Sequence, residues 1–176
     1  MKFNKYTVSF FILAFSFLLV QGCKKEEKVE WKVKDPKEEI NNHPEPQFKK
    51  EGELSFVKKD GKEISKVDIE VSDNAPERAQ GLMWRKAMGE NQAMLFIFPA
   101  PEQQAFWMKN TIMPLDIIFI DEDNVIVKIH KNAVPYSEKS LPSEKNSIFV
   151  VETIAGYCDK NGVKEGDKIK FDFQNK

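Results

Sequence analysis

Residues 105–121 read AFWMKNTIMPLDIIFID, and the last seven of them decide the fold. In an extended chain successive side chains alternate between faces. Leu115, Ile117 and Phe119 then lie on one side, and Asp116, Ile118 and Ile120 on the other. Both sides are apolar except at Asp116. Such a strand is central and covered on both faces, and a carboxylate entering it needs a partner. Pro114 enforces an extended entry.

Working outward, most of the remaining domain also reads as strands. ELSFVKK (53–59) and KEISKVDIEVS (62–72) alternate with period two and flank Asp60-Gly61, a two-residue hairpin signal. Further strands are expected at 93–98, 105–109, 125–130, 147–154 and 168–173. DEDN (121–124) and KEGD (164–167) supply tight turns. The stretch NAPERAQGLMWRKAM (74–88) reads as a short helix: Asp73 or Asn74 caps it, Pro76 fits its first turn, and Glu77 suits its N-terminal dipole. Gly81 either ends that helix or lets another backbone approach closely. A second short helix is expected within 155–163. The expected fold class is α+β: a mostly antiparallel, strongly curved or barrel-like sheet with one or two short helices, in a single domain over 51–176.

The segments before this domain have a different composition. Lys2 and Lys5 precede an apolar run from Val8 to Val20, broken only by Ser9 and Ser16. That run is too short to span a bilayer of roughly 30 Å as a helix, and the pattern is that of a secretory signal over 1–22. It ends in LLVQGC (18–23), which resembles a bacterial lipobox, with Cys23 as the lipidated residue. Two or more fatty chains exceed the threshold for stable anchoring. Residues 24–50 hold eight lysines, seven acids and three prolines. Few of them are apolar, so this segment reads as a flexible charged linker. The expected location is the cell envelope, anchored by lipid to a bacterial membrane and facing periplasm or exterior. Over the whole chain 27 basic residues face 28 acidic ones; without Lys2 and Lys5 the net charge is 25 − 28 = −3. That balance gives no electrostatic case for nucleic acid. Cys158 is the only other thiol, and the two histidines, His43 and His130, make no credible Cys–His pair with it.

ERAQGLMWR (77–85), AMLFIF (93–98), FWMKNTIMPLDIIFID (106–121), VVET (150–153) and KEGD (164–167) occur in this order. Together they resemble the domain of unknown function 192 family, most specifically in the Trp-Met-Lys-Asn-Thr block. Ala93 departs from the glycine usual before Met-Leu-Phe. The resemblance implies one compact α+β domain, often exported, with no accepted biochemical activity.

The polar residues inside these motifs are Arg78, Arg85, Lys109, Asn110, Thr111, Asp116 and Glu152. In one arrangement they surround a ligand-binding or catalytic pocket, with Asp116 as acid or base and the cations clamping an anion. Arg78 and Arg85 share a face in that case if the helix continues past Gly81. In the other, Asp116 accepts hydrogen bonds from backbone or from Asn110 and pairs with one cation, closing a buried network. Met83, Met94 and Met108 lie near Trp84 and Trp107, and soft thioethers select Cu(I); Met also fills irregular gaps in a core. No cofactor is expected. Three functional classes remain: a lipid-anchored module that binds a protein or a small molecule, an enzyme using Lys109, Asp116 and Glu152, and a Cu(I) carrier. A concave pocket favours a small ligand, and a flat apolar patch including Phe106 and Trp107 favours a protein partner.

Overall fold

The computed structural model describes residues 44–174. The signal segment, Cys23 and most of the charged linker lie outside the described residues. Residues 44–50 run along the domain surface: Lys50 pairs with Asp68 and Glu53, and Glu45 accepts from the Lys86 amide.

Seven strands form one sheet: β1 (Gly52–Val57), β2 (Glu63–Ser72), β3 (Gln92–Phe106), β4 (Leu115–Ile120), β5 (Ile126–Ala133), β6 (Leu141–Ile154) and β7 (Lys168–Phe173). Two short helices, α1 (Ala75–Gln80) and α2 (Tyr157–Asn161), complete the domain. The spatial order is β5-β4-β6-β3-β2-β1-β7. Among the described residues only β2 and β3 pair in parallel, and the segment holding α1 makes the crossover that parallel pairing requires. The sheet curls into a half-barrel. Val125 bridges to Lys168, and the Ile126 and Gly166 amides donate to Asp167 and Ile126 carbonyls at 2.8 Å, so the β4–β5 turn meets the start of β7.

Every residue of β4 is buried, and its two faces feed two cores. Ile118 and Ile120 join a cluster drawn from all seven strands, which fills the inside of the curl with Leu54, Phe56, Ile69, Leu95, Val151 and Ile169. Leu115, Ile117 and Phe119 belong to a second cluster on the opposite face, with Met94, Phe96, Met108, Met113 and Val150. Loops 81–88 and 107–114 cover that face through Leu82, Met88, Met108 and Met113.

The expected strands at 93–98 and 105–109 are corrected to a single strand, β3, which ends at Phe106. Its pairing with β6 slips between Ile97 and Glu102 and again between Gln103 and Ala105. The slip spans Pro99 and Pro101, which cannot donate to a ladder and are tolerated at such an irregularity. For the same reason β6 begins at Leu141, earlier than expected; Glu144 sits at a positive φ of 60° within it.

Candidate functional site

The site is set by register on β6. Ile117 of β4 and Met94 of β3 both pair with Glu152, whereas Asp116 pairs with Thr153. Directly paired residues share a face, and neighbours along a strand do not. Glu152 therefore points to the outer cluster and Asp116 to the inside of the curl. The two acids expected to act together are on opposite sides of the sheet.

Asp116 is fully buried. One carboxylate oxygen accepts from the Asn132 amide at 2.9 Å and the other from the Cys158 amide, also at 2.9 Å. Helix α2 has glycine at its N-cap, with no capping side chain of its own. Asp116 reaches across from β4 and satisfies an orphan amide of its first turn. Its partners are backbone groups; Asn110 is not among them. The Cys158 thiol is pushed well above the usual range, first by burial and then by the Asp116 carboxylate. Such a thiol is not a nucleophile.

Glu152 has the opposite surroundings. It is 5% exposed, and among the described residues no group donates to or accepts from its carboxyl. Burial pushes that carboxyl up to about 8, so it is a neutral acid at pH 7. It forms part of the wall of a cleft of ≈ 250 Å³. Phe96, Phe98, Phe106 and Trp107 provide the aromatic surface, with Arg78, Gln104 and Thr111 as polar points. Phe106 packs edge-on against Phe96 (5.0 Å between centroids), Phe98 and Phe119, so the rings hold one another in place.

Two loops shape the mouth. Helix α1 starts where expected: Asn74 accepts from the Glu77 amide, with proline in the first turn. It stops at Gly81, whose φ of 46° and ψ of −136° suit glycine alone. The two arginines consequently do not share a helical face. One Arg78 nitrogen donates to the carbonyls of Asp73 (2.6 Å) and Ile97 (2.9 Å), and its guanidinium lies 5.3 Å from the Phe98 ring centroid. Arg85 is buried and pairs with Glu70 at 2.7 Å, away from the cleft wall. On the second loop, Thr111 is buried and donates to the Lys109 carbonyl at 3.3 Å. Lys109 points outward over Trp107 and toward Glu138. Asn110 donates to the Met83 sulfur and accepts from the Trp84 amide.

The cleft thus gathers Arg78, Thr111 and Glu152 from the expected set, and Lys109, Asn110, Arg85 and Asp116 are placed elsewhere. Met94 and Met108 are packed in the outer core, and Met83 is on the cleft wall. The ring wall was the missing element. Phe96 and Phe98 alternate with Ile97 along β3 and so point to one face, a signal present in the period-two pattern.

No curated protein matches this chain. Solved structures do, two of them as follows. A candidate transcription regulator of Sinorhizobium meliloti 1021 is 33% identical, with a TM-score of 0.67 over 72% of this chain and 98% of that one. A protein of unknown function from Novosphingobium aromaticivorans DSM 12444 is 35% identical, with a TM-score of 0.64 over 67% and 83%. The family model of DUF192, "Uncharacterized ACR", matches residues 56–171, and with these structural likenesses it establishes that the chain belongs to the domain of unknown function 192 family.

Proposed function

We propose that this protein is a small-molecule-binding module held at the cell envelope by lipid on Cys23, and that the cleft beside Glu152 is its binding site. The observation that carries the reading is an acid 5% exposed, without a partner, on the wall of an aromatic-lined cleft. A ligand that pairs with Glu152 takes the place of cleft water at a carboxyl with no protein partner among the described residues, which is how pockets with few polar groups set orientation. Phe106 packs into the cleft wall and does not extend a flat patch, which favours a small ligand over a protein surface. Binding is favoured over catalysis because Thr111, the hydroxyl at the cleft, is engaged with the Lys109 carbonyl, and Glu152, the acid of the same wall, is held protonated by burial.

The test is a fragment survey of the ¹⁵N-labelled protein by NMR. Binders are expected to shift Phe96, Thr111 and Glu152 amides together, and Trp107→Ala is expected to weaken them at least tenfold. A survey in which no fragment shifts those three amides rejects the cleft as a site. For the anchor, metabolic labelling with palmitate should tag the wild type and not Cys23→Ser; equal labelling of the two rejects it.

A further inference from the structure

We infer that the cleft takes a small organic anion, a carboxylate on an apolar body, with the Arg78 guanidinium as its counter-ion and the Phe96 and Phe98 rings as the surface under the body. This rests on the cleft being the ligand site and names the class of ligand.

Arg78 is the single cation on the cleft wall among the described residues, and it forms no ion pair among them. The other cations nearby are committed elsewhere: Arg85 pairs with Glu70, and Lys109 turns outward over Trp107 toward Glu138. Three contacts hold the Arg78 guanidinium in place. Nη1 donates to the Asp73 carbonyl at 2.6 Å and to the Ile97 carbonyl at 2.9 Å, and the group lies 5.3 Å from the Phe98 centroid. Its Nε and Nη2 have no protein acceptor among the described residues. A planar fork fixed on one side and open on the other suits a carboxylate, which takes two parallel N–H bonds.

The wall leading away from Arg78 is apolar. Met94, Phe96 and Phe98 alternate along β3 and share a face, and Met94 is the residue that pairs with Glu152. The cleft thus runs along β3 from Glu152 to Arg78, with the Phe96 ring between them. Four residues of strand separate the two ends, roughly 13 Å, so Arg78 and Glu152 do not pair. The volume, ≈ 250 Å³, equals that of about eight liquid waters, which suits a single-ring acid.

Glu152 sets the far end. Met94 from β3 and Ile117 from β4 flank it, and Leu82, Met83 and Thr111 come from the covering loops; Arg78, from α1, is the other charged residue of the wall. As a neutral acid Glu152 brings no negative charge against an anion and offers an O–H donor. Its ionisation puts a second negative charge into a site from which most water is excluded, where repulsion is strong. Binding makes and breaks no covalent bond.

3-Phenylpropanoate, its amide and its amidinium have one shape and three charges, and none of them titrates between pH 6 and pH 9. In isothermal titration at pH 6 the carboxylate is expected to bind at least tenfold more tightly than the amide, with the amidinium weakest. Its affinity should fall at least threefold by pH 9. Arg78→Gln should lose the preference for the carboxylate, Lys109→Gln should keep it, and Glu152→Gln should bind alike at both pH values. Thermal melting checks the folding of each variant, and the ranking and pH profile of the wild type decide the matter even if none of them folds. Equal or tighter binding of the amide or the amidinium overturns the inference. So does carboxylate binding that is the same at pH 6 and pH 9, a preference lost in Lys109→Gln and kept in folded Arg78→Gln, or binding of none of the three. Tighter binding of the amide or amidinium leaves the cleft a ligand site, which falls only if the fragment survey also leaves it empty.

Discussion

Replacing Glu152 with Gln removes a titration that is coupled to folding. In the folded domain the carboxyl titrates at about 8, against an ordinary value of 4.5. Between those limits the folded state holds one proton more than the unfolded state, so stability falls as pH rises. The contribution is fully present below pH 4.5 and is gone above pH 8. The gap is 8 − 4.5 = 3.5 pH units, and at about 1.4 kcal/mol per unit it amounts to at most about 5 kcal/mol. Water entering the cleft lowers this ceiling. Glutamine has the same shape and does not titrate. Urea unfolding of both proteins at pH 5, 6, 7, 8 and 9 isolates the effect, because every other titrating group cancels in the difference. The variant should gain on the wild type steadily from pH 5 to pH 8, by about 2–3.5 kcal/mol in all, and hold that advantage at pH 9. A difference constant to within about 0.5 kcal/mol across the series would refute the reasoning, since Glu152 would then titrate alike in both states.

Three further outcomes are expected. Asp116→Asn leaves one acceptor oxygen for two amides, that of Asn132 and the buried one of Cys158, and should cost about 1–3 kcal/mol. It should lower the urea midpoint without changing the slope; an unchanged midpoint would contradict the bridging role. Gly81→Ala should cost about 1–3 kcal/mol, since φ is 46° and a Cβ there would sit 3.2 Å from Phe96 Cζ; a Tm equal to that of the wild type would contradict it. In a Cys23→Ser background Cys158 is the remaining thiol. Buried and shifted upward, it should be silent to Ellman's reagent until the protein is unfolded in urea, and prompt reaction in native buffer would contradict that burial.

What was legible in the sequence follows from periodicity. The parity of 115–120 assigned each side chain of β4 to its face, because a strand repeats every two residues whatever it packs against. The place of the turn at Asp60-Gly61 and the start of α1 at Asn74 and Pro76 were legible because their chemistry is local: Gly61 takes φ 89°, and Asn74 caps through its own side chain; the turn's length was not, since it closes between Lys58 and Lys62 over three residues where two were expected. The fate of Pro99 and Pro101 was not, because whether a proline breaks a strand or sits in a slipped pairing depends on the partner strand. Register was also hidden. The sequence places Asp116 and Glu152 on named strands, and only the pairing of Ile117 with Glu152 shows that they face apart.

That separation explains why the more conspicuous acid is not the one at the cleft. Asp116 interrupts an otherwise apolar strand, and the interruption is resolved inside the fold: two backbone amides fill its two oxygens and fasten β5 and α2 to β4. A carboxylate so supplied has little left to offer a ligand. Glu152, one place along the ladder and on the other face, lies between Met94 and Ile117, which have nothing to donate. Its surroundings are aromatic, and the loops beside it are held in uncommon backbone conformations at Trp84 and Asn110. A chain selected for stability alone has no use for an unpartnered acid there, since an apolar residue of similar size avoids the desolvation cost. The same desolvation that makes the residue costly keeps it protonated, and so makes it responsive to whatever enters the cleft.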